Sequence, residues 1–349
     1  MVISRRILLT IAFVLASPIV WWSSNWGIIS SPDGFDPLRY EYYAREGLPS
    51  ELLLSSSYRV VLLLQTIYEA LPFYWGYVIF AAALLVLVLW SNRDRHLAVA
   101  LLSPISFYFF AQTGKDWITI LALSCFAIAL RRFTSWTYLI LCGLIVMLAV
   151  FLRPSLLPVL VVLFVVVRRG VILGGGISVV AGAALYLTGD FPFMLDLLGE
   201  TVQQEDSGQY VRLMRELTFG YAAPAIILKF ALYYASIIFQ PLLALAKAVV
   251  AGSAGTYVLF EGACLTTLLW ILVRSGLLNG FLWYSLPFCV LLALTSPFYH
   301  FRYVEIIYPV LLSLAGYTGR QSRGLRYAGA TTALNEGRQL RPLDPHLQR

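Results

Sequence analysis

Apolar residues fall along this chain in long unbroken runs, without the alternation of a half-buried sheet. The runs cover 7–22, 72–90, 97–112, 117–130, 137–152, 155–167, 171–188, 256–273, 280–298 and 303–317. A helix that is apolar on every side needs either the centre of a large protein or a bilayer around it. The pattern predicts an all-α fold, a polytopic transmembrane helix bundle of about ten spans.

Two stretches depart from that rhythm. Residues 223–250 are apolar but interrupted by Lys229, Gln240, Pro241 and Lys247. They read as a re-entrant or interfacial helix pair on the outer face, because one clean crossing would reverse the side of everything after it. Residues 52–70, with Arg59 and Glu69, read as an amphipathic helix lying along the outer surface.

Composition agrees with the pattern. Of 349 residues, 60% are hydrophobic and 12% charged, more apolar surface than a single soluble core of this length can hide. Residues 1–317 form one membrane domain and 318–349 a basic tail. Charge then orients the bundle. If the ten runs alternate, Arg5, Arg6, Arg93, Arg95, Arg131, Arg132, Arg168, Arg169, Arg274 and the six tail arginines fall on one side. That side holds fifteen basic residues against Asp94, Glu336 and Asp344. The positive-inside rule makes it cytoplasmic, with both termini inside. Met1–Trp22 has the look of a signal peptide, but Ala16-Ser17-Pro18 is a poor cleavage site, and an uncleaved anchor is expected. The expected location is a bacterial inner membrane, multi-pass.

Composition also narrows the chemistry. Cys125, Cys142, Cys264 and Cys289 are scattered through apolar runs without paired spacing, and read as packing. His96, His300 and His346 form no ligand motif, so neither a metal nor a cofactor is expected. The basic excess follows topology and implies no nucleic acid. No phosphate loop, nucleophile elbow or zinc-protease motif is present. Gly174-Gly175-Gly176 sits in an apolar run and reads as close helix packing.

The runs between 97 and 167 are short. Arg95 to Arg131 is 36 positions, as is Arg132 to Arg168, and each interval must hold two helices and a turn. Helices of ~15 residues reach roughly 22 Å of a ~30 Å hydrocarbon core. The outer tips, Thr113-Gly114-Lys115-Asp116 and Arg153-Pro154-Ser155, are then recessed below the membrane surface. Charges at that depth need water, a partner or a ligand. Either they snorkel outward, or Lys115 simply pairs with Asp116, or they form a cationic funnel in the outer leaflet.

Other outer-side candidates have equally plain structural readings. In the first outer loop Asp33, Asp36, Arg39 and Tyr40 mix charge with aromatic rings, a combination that holds sugars, yet Pro32-Asp33-Gly34 is also an ordinary turn. Residues 189–222 carry Arg212, Arg215 and Glu216, which can share a helix face in a binding loop or in a solvated one. Glu261 lies early in an apolar run, with Lys229 and Lys247 as candidate partners. In the last outer hairpin His300, Arg302 and Glu305 cluster at a helix start, as a site or as a structural Arg302–Glu305 pair.

Four stretches carry a family likeness. They are Ser-Pro-Ile-Ser to Thr-Gly-Lys-Asp (103–116), Leu-Arg-Pro (152–154), Phe239-Gln240-Pro241 with Phe260-Glu261, and Phe301-Arg302-Tyr303 with Pro309. The chain resembles the Wzy-type and EpsG-like polymerases of bacterial surface polysaccharides, and its last stretch resembles the Arg-Tyr-x5-Pro ending of GT-C-type membrane glycosyltransferases. The resemblance implies polymerisation, on the outer face, of oligosaccharide repeat units carried on a polyprenyl diphosphate. Lys115, Arg153 and Arg302 would then bind the diphosphate. Asp33, Asp36, Asp116, His300 or Glu305 would serve catalysis. Arg39, Tyr40, Arg212, Arg215, Lys229 and Glu261 would hold substrate. Many GT-C enzymes use an aspartate of the first outer loop, matched here by Asp33 or Asp36; other polymerases lack it and rely on outer arginines. The expected partners are the lipid-linked oligosaccharide, the bilayer and a chain-length regulator protein. A flippase or transporter of the same lipid, or a noncatalytic subunit of an assembly complex, is the alternative.

Overall fold

The computed structural model describes residues 10–17, 36–47, 56–71, 73–111, 114–132, 135–154, 156–187, 222–251, 256–295 and 302–316. They are helical throughout, with no strand among them. In chain order the helices are α1 (10–17), α2 (Asp36–Glu46), α3 (Ser56–Ala70), α4 (Phe73–Ser91), α5 (Arg95–Leu101), α6 (Pro104–Phe110) and α7 (Lys115–Arg131). They continue as α8 (Trp136–Leu152), α9 (Leu156–Arg169), α10 (Val171–Leu187), α11 (Ala222–Ala251), α12 (Thr256–Ser275), α13 (Leu278–Thr295), α14 (Arg302–Glu305) and α15 (308–316).

Helix α8 illustrates how the bundle is built. Its inner face places Tyr138, Cys142, Ile145, Ala149 and Leu152 in the core. Its opposite face presents Trp136, Ile140, Leu144, Met147 and Phe151 outward, Trp136 at 71% and Met147 at 70% exposure. Those steps of three and four make a continuous apolar stripe facing away from the protein. Trp75, Ile79, Leu87 and Trp90 do the same on α4, and Ile172, Val179 and Val180 on α10. The core itself is aromatic, with Trp117, Tyr77, Tyr138, Tyr233, Tyr308 and Phe281 almost wholly enclosed.

Helix ends gather into two groups. At one end Asp116 meets Arg153, Tyr77 reaches Gly114 and Tyr40 packs on Gly114. At the other, Asn92 interacts with Tyr138, Arg131 with Tyr284, and His96 lies against Gly316. Trp90, Trp136, Trp270 and Trp283 are exposed and stand within about two turns of this second, arginine-rich end.

Three expectations change. The run 97–112 is not one helix: it breaks at Leu102–Ser103. Ser103 caps the second piece through the Ser106 amide and Pro104 takes the first-turn position. The Ser106 hydroxyl bridges the break, donating to the Ala100 carbonyl at 2.6 Å. Residues 223–250 are not a helix pair. They form the single helix α11 of 30 residues, with Pro241 inside it, where it removes one hydrogen bond. Finally, among the described residues no single helix is long and apolar enough to cross a membrane alone; one pair, Tyr58–Ala70 with Trp75–Ser91, passes together, bent by 100°. The hairpin helices are short, as their spacing required: α7 and α8 have 17 residues each, about 25 Å at the helical rise.

Other expectations stand. Of the 52–70 stretch, Ser56–Ala70 is helical as α3, turned sharply from α4 and burying Val60, Val61 and Leu64. A side-chain carbon at Gly174 would strike Val166 and touch Pro287 at 3.6 Å, so this glycine permits α9, α10 and α13 to approach. The Ser178 hydroxyl lies 3.0 Å from the carbonyls of both Gly174 and Pro287 and ties α10 to α13. All four cysteines are buried and free.

Candidate functional site

The charged site nearest the predicted outer side is built by the α7–α8 hairpin. Gly114 precedes α7 and accepts a hydrogen bond from the Tyr77 hydroxyl at 3.2 Å. That anchors the start of α7 to α4. Tyr40, itself buried, lays its ring 3.9 Å from where a Gly114 side chain would begin. The next two residues are Lys115 and Asp116. Lys115 is half-buried and its carbonyl accepts from the Thr119 hydroxyl at 2.9 Å.

Asp116 finds an ion-pair partner across the hairpin. Its Oδ1 stands 3.0 Å from Nη1 of Arg153, at the end of α8. The two side chains are only 8% and 15% exposed. The hairpin therefore closes at this end on an ion pair shielded from solvent, which strengthens it and makes either charge costly alone. The reason lies in register. Antiparallel α7 and α8, tied by the Tyr138 hydroxyl to the Cys125 carbonyl at 3.0 Å, bring the first turn of one beside the last residue of the other. Lys115, one position earlier, projects from a different side of the helix.

Arg59 completes this end and was missed as a site residue. Its Nη1 donates to the Phe151 carbonyl at 2.8 Å, and its guanidinium stacks 5.2 Å from the Phe151 ring. It thus satisfies one of the free carbonyls at the end of α8, where a cation also suits the helix dipole. The available signal was a lone arginine on an amphipathic helix.

A second polar group lies deeper. Glu305 is 1% exposed. With half-buried Glu261 it lies within electrostatic reach of Cys264. The fold so brings both glutamates toward Cys264, although the sequence placed them in separate hairpins. Phe260 packs on Phe107 and Tyr108, both 5.9 Å away, and holds α12 against α6. Lys229 is buried on α11, which packs on both α12 and α13.

The remaining candidates are less defined. Asp36 and Arg39 begin α2, and Arg302 begins α14, but their side chains lie outside the description. Asp33, Arg212, Arg215 and His300 lie outside the described residues, as does the tail from 317 onward. Among the described residues no three His, Cys, Asp or Glu side chains are grouped to hold a metal.

Chemically this end of the hairpin offers a carboxylate and two guanidiniums, with Lys115 next to Asp116 in the chain. Such a set can bind an anion of several oxygens and accept a proton. Compared with known families, curated proteins and solved structures, the chain matches none.

Proposed function

We propose that the chain is an integral inner-membrane glycosyltransferase that polymerises oligosaccharide repeat units linked to polyprenyl diphosphate, acting on the outer face. The observation that carries the reading is the shielded Asp116–Arg153 pair at the end of the bundle away from the arginine-rich side. Apolar stripes on α4, α8 and α10 support a lipid surround, and exposed tryptophans near the arginine-rich end support a membrane interface there. With the arginine-rich end on the inside, the pair faces outward.

In this reading the resting pair is the catalytic device. A lipid diphosphate competes for Arg153, with Lys115 and Arg302 as further cations. Arg grips two phosphate oxygens at once and Lys contributes a point charge. Asp116 is then free to accept the proton of an acceptor hydroxyl. The hydroxyl oxygen bonds to the anomeric carbon of the growing chain, the bond from that carbon to the diphosphate breaks, and the lipid diphosphate departs. Its charge is stabilised by the fixed cations.

One observation favours a second reading. The break between α5 and α6 leaves non-helical backbone within the bundle, as in transporters with interrupted helices. That reading makes the chain a flippase for the same lipid.

The test is the lipid that accumulates when the chain is lost. The polymerase reading expects single repeat units on the outer leaflet and no long polymer. Units held on the inner leaflet point to the flippase, and an unchanged glycan-lipid profile removes both.

A further inference from the structure

At the arginine-rich end, α4 finishes where α5 and α8 begin. Asn92, just past α4, interacts with Tyr138 in the first turn of α8. Trp90, in the last turn of α4, is 84% exposed, and Trp136, the first residue of α8, is exposed too. The two tryptophans flank that one contact. Arg93, Arg95 and Arg132 follow or precede them closely in the chain and are exposed. The carboxylate of the same stretch, Asp94, accepts from the amides of His96 at 2.7 Å and Leu97 at 3.4 Å and so caps α5. Three guanidiniums against one carboxylate leave a local excess of positive charge.

The order of side chains along the two helices is the same. On α4 the exposed Ile79, Val86 and Leu87 come first, then Trp90, then Arg93 beyond the helix end. On α8 the exposed Leu144 and Ile140 lead to Trp136, and Arg132 lies beyond the helix start. Both series run from apolar surface through an indole to a guanidinium, toward the same end. A phospholipid presents its parts in that order: hydrocarbon tails, ester boundary, phosphate. An indole suits the boundary, with an apolar body and one N–H donor. A guanidinium holds two phosphate oxygens at once. A free anion leaves the rings and apolar faces unused, and an acidic peptide leaves them in water. A zwitterionic lipid brings its own cation to the arginines, and a net-anionic one does not.

We propose that the meeting of α4, α5 and α8 binds the headgroup of an anionic phospholipid, with Arg93, Arg95 and Arg132 at the phosphate and Trp90 and Trp136 at the ester level. This rests on the membrane placement proposed above, and not on the glycan chemistry.

The test titrates phosphatidylglycerol into the full chain in a nonionic detergent and counts bound lipid by native mass spectrometry. Phosphatidylcholine and tail-less glycerol 3-phosphate are the controls. Phosphatidylglycerol should bind more tightly than phosphatidylcholine. Its affinity should fall roughly fivefold in Arg95→Gln and in Arg132→Gln, and further in the double variant. Lysine at both positions should retain most of it, and Trp90→Ala should weaken both lipids alike. If the double variant does not fold, the single variants decide, since both side chains are exposed. Equal binding of the two lipids by the wild type overturns the anionic assignment. Glycerol 3-phosphate that competes as well as the lipid overturns the lipid assignment. Unchanged affinity in both glutamine variants overturns the site and leaves the membrane placement standing. Arginine-dependent binding in a chain whose residue 169 labels from outside keeps the site and removes the inward placement of this end.

Discussion

Arg59 Nη1 donates to the carbonyl of Phe151 at 2.8 Å, two residues before the arginine that pairs with Asp116. A surface helix thereby holds the end of α8, and with it the position of Arg153. Arg59→Ala should lower stability by about 1–2 kcal/mol, since one charge-assisted hydrogen bond and a ring contact are lost. Arg59→Lys should recover only part, because lysine cannot both stack and point a planar donor. Thermal unfolding in detergent measures both; equal stability of Arg59→Ala and wild type would leave the Phe151 contact without consequence.

Asp116 and Arg153 allow structure and chemistry to be separated. Removing one partner of a buried pair costs ~3–5 kcal/mol, so Asp116→Asn and Arg153→Gln should each reduce the folded population. The exchanged variant Asp116→Arg with Arg153→Asp keeps the pair but reverses its order. It should recover abundance over the single variants and still make no polymer, because the cation no longer stands on α8 beside Arg59. Immunoblots of membranes give abundance and gel analysis of the glycan gives activity. Recovery of both together makes the pair a structural tie.

Topology follows from which helix ends meet. Arg131 donates to the Tyr284 hydroxyl at 3.3 Å and His96 abuts Gly316, so the ends of α7 and α15 lie with the starts of α5 and α13. Cysteines introduced at 94, 132 and 169 should react only from the cytoplasm, and at 45 and 205 only from outside. A cytoplasmic signal at 205 contradicts both-termini-inside.

Gly174 tests packing alone. A methyl group there strikes Val166 and contacts Pro287. Gly174→Ala should therefore destabilise by ~1–3 kcal/mol, the range for overpacking, despite alanine's better helix propensity. Gly175→Ala, with open space around it, should be neutral or slightly stabilising. Parallel melting curves give the comparison.

The helical class was legible because every apolar run outlasts a strand, and α8 shows the sufficiency of that signal: both of its faces are apolar. The α5–α6 break was written in Ser103-Pro104, a cap followed by a first-turn proline, yet the apolar residues on both sides masked it. Pro241 misled in the other direction. It looked like a divider and lies inside one helix, because burial of Tyr233, Ile237 and Gln240 holds that face in place. The Asp116–Arg153 pair was harder to read. Both residues were visible as recessed charges, but that Asp116 faces Arg153 depended on hairpin register, which composition does not encode. The approach of Glu261 and Glu305 to Cys264 needed the tertiary fold, and Arg59 needed the bend between α3 and α4.

The central claim is that the outer-end charges join lipid-linked glycans. The most direct measurement supplies the purified chain, in nanodiscs, with a lipid-linked repeat unit and resolves the products by length. The account predicts a ladder of lipid-linked oligomers with release of lipid diphosphate, and no ladder from Lys115→Ala or from the exchanged Asp116–Arg153 variant. A wild-type chain that leaves the repeat unit unextended, or a ladder of equal yield from both variants, contradicts it.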